Sequence, residues 1–255
     1  MEQQAQFRYS TSVILYPLIF VLSIWMVFWL QVRFFPSIKH MGIRPQEWQG
    51  LFGIFTSPFI HADIEHLFHN SLPLFILSVA LFYFYRNISW KVLVYGILLS
   101  GLITWLIGRP SNHIGASGLV YVLVSFIFFK GIFARYFRLV ALSLVIIFLY
   151  GSLIWYVFPV KEGMSWEGHL GGLITGLLFA LIFRKSVAKP ERYVWQEPDY
   201  IEDDDPFLRH FDADGNFIEN LEPEKPEIEI ESEAKIEETQ ISLKVNYIFK
   251  ENPDR

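Results

Sequence analysis

The chain has 255 residues, 53% hydrophobic and 18% aromatic with 25 Phe and 8 Trp, a composition that excludes an ordinary soluble domain and points to an integral membrane protein. Cysteine is absent, which excludes disulfides, thiolate nucleophiles, Cys-ligated zinc and iron–sulfur clusters and leaves oxygen and nitrogen side chains for any chemistry. The net charge of −5 joins two unlike pieces: residues 1–189 hold 14 Lys and Arg against 6 Asp and Glu, whereas residues 190–255 hold 7 against 20.

That change of charge near Pro190 predicts a domain boundary, with a membrane domain over 1–189 and an acidic tail over 190–255. A bilayer span needs about 20 apolar residues. Six stretches are predicted to cross, at 11–31, 66–84, 90–107, 117–132, 137–157 and 168–184, so the expected fold is an all-α bundle of six spans. The first stretch is too long for a signal-peptide core and has no small-residue cleavage site after it, and is expected to be retained. In the 33–65 loop, Trp48, Leu51, Phe52, Phe55 and Phe59 are interspersed with Gly50, Gly53 and Pro58. Such a loop either dips into the membrane interface or packs on the bundle.

Six spans put both ends on one side. The excess of Lys and Arg at Arg8, Arg86, Lys91, Lys130, Arg135, Arg138, Arg184, Lys185 and Lys189 predicts that this side is cytoplasmic. With Lys130 taken as the cytoplasmic boundary, Ser117 lies 13 residues away, roughly 20 Å along a helix and short of a hydrocarbon core ~30 Å thick. Ser117 is then below the outer surface, and the irregular 110–115 segment before it must be buried in protein or line a wet cavity. The tail is rich in Glu, Asp and Pro and is expected to be mostly disordered, with residues 240–249 able to form a strand. Asp212-Ala213-Asp214-Gly215 misplaces the glycine of a calcium loop and carries no metal assignment.

Polar groups at bilayer depth are costly and are functional candidates by default. Three clusters lie at the same ends of their helices: His61, His66 and Asn70; Ser117 with Tyr121; and His169 with Gly172 and Gly176. His66 and Asn70 share a helical face, as do Ser117 and Tyr121. Glycines beside His169 would let its helix approach the serine helix closely. A serine hydroxyl needs a base to become a nucleophile, and histidine is the usual one. No Asp or Glu occurs between Glu65 and Glu162, and Glu167 is expected to face the loop, so the pattern suggests a Ser–His dyad rather than a triad, with Tyr121 packing on the imidazole. His66, the Asn70 amide and the Ser117 N–H are the candidate oxyanion donors. Against this stand plainer readings: Ser117 as a small-residue packing motif, and His169 as a satisfied helix-start histidine. The joint occurrence of the residues at one depth favours catalysis. No HExxH pattern is present, no metal or cofactor is expected, and His40, His69 and His113 read as loop or interface histidines.

The motifs His61-x4-His66-x3-Asn70, Gly115-Ala116-Ser117-Gly118 with Tyr121, and His169-x2-Gly172-x3-Gly176, taken in order, resemble those of the rhomboid family of intramembrane serine proteases. The resemblance covers roughly residues 11–185 and implies the six-helix core form. It implies Ser117 as nucleophile and His169 as base, with His66, Asn70 and the Ser117 amide as the oxyanion site. It further implies that Tyr121 supports His169, that His61 orders the loop before the second span, that Gly115 is the loop glycine before the nucleophile, and that Gly118 and Gly172 make the close contact between the fourth and sixth helices. Where many family members carry a Trp-Arg pair, the first loop here reads Arg44-Pro45-Gln46-Glu47-Trp48. The implied partners are single-span membrane proteins and the lipid bilayer, without nucleic acid; the absence of cysteine and the compact six-span core suit a bacterial cytoplasmic membrane. The rival reading is a catalytically inactive rhomboid-like binding or extraction factor.

Overall fold

The computed structural model describes residues 9–184 and, within 193–219, all but 194, 196, 197, 203, 204 and 213. The predicted strand at 240–249 and most of the stretch expected to be disordered lie outside the described residues. The chain divides into two units, Met1–Glu191 and Arg192–Arg255.

The first unit is helical. α1 (Ser12–Arg33) is followed by a loop of short turns that contains α2 (Gly53–Thr56). α3 (Ile64–Phe84) starts two residues before the predicted span because Asp63 caps it, its carboxylate accepting the His66 N–H at 2.8 Å. α4 (Ser89–Ile107) and α5 (Ser117–Ala134) follow, and Arg135 in the left-handed conformation (φ 53°) ends α5. The predicted span at 137–157 is α6 (Phe137–Tyr150) continued by a 3-10 segment, Gly151–Val157. α7 (Trp166–Ile182) carries His169. Among the described residues, five helical segments are long and apolar enough to cross a bilayer, and α7 is a shorter apolar helix. This is an all-α integral membrane protein.

α5 is the hub, packed on α3, α4, α6 and α7. Of its apolar window 56% is buried in protein, against 17% for both α1 and the Phe137–Val157 segment. Those peripheral helices turn large apolar side chains such as Leu22, Trp29 and Phe148 outward, where lipid is their solvent.

Lys130, read in the sequence as the cytoplasmic end of its span, is covered by protein. It is fully buried inside α5, and its ammonium donates to the carbonyl of Phe183, the residue that closes α7. A cation at a helix C-terminus meets unsatisfied carbonyls and the negative end of the helix dipole. The first loop packs on the bundle and keeps some of its aromatic side chains exposed. Ile54 packs against Gly101 of α4 and Ile43 pairs with His113, while Trp48, Phe52 and Phe55 remain exposed.

Candidate active site

Ser117 is the first residue of α5 and follows Gly115 and Ala116 in the 108–116 loop. That loop is held from one side by the first loop: Asn112 Oδ1 accepts the Gly42 N–H at 3.1 Å, Ile43 and His113 exchange main-chain bonds, and the Ser57 carbonyl accepts the Gly115 N–H at 2.9 Å. His61 completes the support. It is fully buried, and its Nε2 accepts the Ala116 N–H at 3.5 Å. Burial, and then the neighbouring His66, hold its pKa down at about 4, so the ring is neutral near pH 7 and can accept. Gln31 of α1 donates to the His61 carbonyl at 2.8 Å and anchors the same segment.

His169, in the first turn of α7, places Nε2 3.0 Å from Ser117 Oγ. Its Nδ1 lies 2.8 Å from the Tyr156 carbonyl. A carbonyl only accepts, so Nδ1 carries the proton and Nε2 presents a lone pair to the serine hydroxyl. The main chain of the 3-10 segment thus takes the orienting place that a carboxylate has in soluble triads. Tyr121 stacks on the imidazole with centroids 4.3 Å apart and planes at 12°, and is itself fixed by its hydroxyl donating to the Leu153 carbonyl at 2.7 Å.

His66 and Asn70 approach from α3. His66 Nδ1 accepts the Ala62 N–H at 3.5 Å, which leaves the proton on Nε2. That Nε2–H and the Asn70 amide face Gly115: a Cβ at Gly115 would lie 2.7 Å from His66 Nε2 and 3.5 Å from Asn70 Nδ2. Asn70 Nδ2 also donates to the His66 carbonyl at 3.1 Å. The Ser117 N–H, at the helix start, has no intrahelical acceptor by construction. The His66 and Asn70 donors thus meet at Gly115, two residues before Ser117. A cavity of about 30 Å³ opens at Ser117 and Gly118, with Ser57, Thr104, His113 and Ser165 among its lining, a polar space large enough for water.

The glycines divide unequally. A Cβ on Gly172 would stand 2.3 Å from the Gly118 carbonyl, and one on Gly176 would stand 2.4 Å from the Val122 carbonyl, so both let α7 lie against the α5 backbone. Gly118 contributes that carbonyl, while its own Cβ would meet nothing closer than 3.5 Å.

Two residues depart from their expected surroundings. His113, read as a loop histidine, is buried, with Nδ1 2.6 Å from Ser165 Oγ and Nε2 3.1 Å from both the Arg109 carbonyl and Ser111 Oγ. Burial lowers its pKa, with the Arg109 carbonyl opposing the effect. Glu167, expected to face the loop, is turned inward at 1% exposure and grips Arg109 of that loop. Its place one residue after Trp166 at the helix start was visible in the sequence; its burial was not.

The fold and this cluster define a polytopic membrane protein with a serine and a histidine in hydrogen-bond contact among its helices. The "Rhomboid domain" family model matches residues 46–186, more than half of the chain, and the chain belongs to the rhomboid family. It is 35% identical over 167 residues to an uncharacterized protein of Mycobacterium tuberculosis, covering 59% of this chain and 65% of that protein. An uncharacterized protein of Mycobacterium leprae is 34% identical over 167 residues, covering 61% and 64%. The chain thus spans less than two thirds of these relatives' length. A Bacillus subtilis protein named "Putative rhomboid protease YdcA" is 26% identical over 201 residues, 72% of this chain and 96% of that one.

Proposed function

We propose that this protein is an intramembrane serine endopeptidase that hydrolyses peptide bonds of transmembrane proteins with a Ser117–His169 dyad. The observation that carries the reading is the 3.0 Å contact between Ser117 Oγ and a His169 Nε2 whose lone pair is freed by the Nδ1–Tyr156 bond. Ser117 Oγ attacks the scissile carbonyl carbon as His169 Nε2 takes its proton. The oxyanion that forms is met by His66 Nε2–H, the Asn70 amide and the Ser117 N–H. His169 returns the proton to the leaving amine, and then removes one from the water that hydrolyses the Ser117 ester. Substrates are single-span membrane proteins, by the family resemblance, and both ends of the six-helix segment face the cytoplasm of a bacterial inner membrane.

The test is labelling by a fluorophosphonate probe together with cleavage of a transmembrane substrate. Wild type labels and cleaves, Ser117→Ala does neither, and His169→Ala loses about 10²- to 10⁴-fold in rate with the helical fold retained. A folded wild type that neither labels nor cleaves supports an inactive rhomboid-like binding factor instead.

A further inference from the structure

Glu167 takes no part in these proton transfers, yet it is a carboxylate at 1% exposure two residues before His169. Its Oε1 accepts the main-chain N–H of Arg109 at 3.2 Å and stands 3.6 Å from Arg109 Nε. Its Oε2 is buried with no hydrogen-bond partner among the described residues. The Arg109 guanidinium also donates to the Met164 carbonyl. A parallel tie runs between His113 Nδ1 and Ser165 Oγ at 2.6 Å. Both ties join the 108–116 loop, which delivers Ser117, to residues 164–167, which open the helix of His169.

A first-turn carboxylate suits a helix N-terminus even when exposed. Burying one with an oxygen unpaired is costly and needs a further reason. We propose that Glu167 is a positioning residue: through Arg109, and beside the His113–Ser165 contact, it clamps the serine loop to the start of the histidine helix and sets the Ser117–His169 separation. The inference rests on the dyad reading above. Its physical basis is that misplacing reacting groups by about 1 Å can cost 10²-fold in rate.

The experiment measures kcat, KM and fluorophosphonate labelling rate on a transmembrane substrate, with the melting temperature, for the full chain. The variants are Glu167→Ala, Glu167→Gln, Arg109→Ala and the Arg109→Ala/Glu167→Ala pair. Glu167→Gln keeps an acceptor for the Arg109 N–H but loses the charge. The clamp predicts that Glu167→Ala lowers kcat and labelling about 10- to 100-fold with KM within about twofold, that Glu167→Gln regains part of the loss, and that the pair is no worse than Glu167→Ala. Should Glu167→Ala not fold, a fall in kcat at constant KM in folded Glu167→Gln carries the test. Rates that stay at the wild-type value, or fall only in proportion to unfolded protein, overturn the clamp alone. A folded wild type that does not label overturns the dyad reading and the clamp with it.

Discussion

At the scale of single residues, Gly115 shows how little freedom the site leaves. Its φ of +107° is one that side-chain-bearing residues rarely adopt, and a Cβ there would overlap the His66 ring at 2.6–2.7 Å. Gly115→Ala is therefore expected to displace His66 and reduce kcat far more than KM, with a loss of stability of about 1–3 kcal/mol. Comparing kinetics and thermal melting of the variant with wild type checks this, and wild-type kcat would refute it. The sequence displayed Ser117, His169, His66, Asn70 and Tyr121 because each carries its chemistry in its side chain. The partner of His169 Nδ1 was hidden there, because it is the main-chain carbonyl of Tyr156 and any residue type could supply it.

Between elements, the decisive contact is α5 against α7. The glycine spacing at Gly172 and Gly176 was legible as a close-approach stripe, but the sequence treated Gly118 and Gly172 as equal partners. The backbone makes them unequal, since a Cβ on Gly172 would stand 2.3 Å from the Gly118 carbonyl, whereas one on Gly118 would stand 3.5 Å from the Gly168 carbonyl. Gly172→Ala must push the helices apart and lengthen the Ser117–His169 contact, whereas a methyl on Gly118 finds ordinary packing distance. Gly172→Ala is expected to lose about 1–3 kcal/mol of stability and most of the cleavage rate, and Gly118→Ala much less of both. Parallel melting and cleavage measurements on the two variants decide it; equal effects would show that the contact is looser than described. At the other end of the pair, Lys130 of α5 closes α7 through the Phe183 carbonyl. Periodicity and charge presented Lys130 as a surface marker, because a lysine's partner is set by the neighbouring helix and not by its own segment.

For the whole molecule, the charge distribution predicts sidedness. The cytoplasmic assignment places the turn before α4 on the inner face and the first loop on the outer face. The chain has no cysteine, so single substitutions report without background. Ser37→Cys and Asn87→Cys occupy exposed positions in those two segments. A membrane-impermeant maleimide applied to intact spheroplasts is expected to label Ser37→Cys alone, and Asn87→Cys only after lysis; the reverse pattern would invert the topology.

By itself the sequence determined that this is a polytopic helical membrane protein, where its spans lie to within a few residues, and which polar side chains stand at one end of the bundle. Those properties follow from local hydrophobic length and spacing. Only the tertiary structure decided that α5 is the hub, that His61 and His113 brace the serine loop, that Tyr156 orients His169, and that Glu167 turns inward to Arg109. These depend on backbone groups without residue identity and on contacts between segments distant in sequence, which no local pattern encodes.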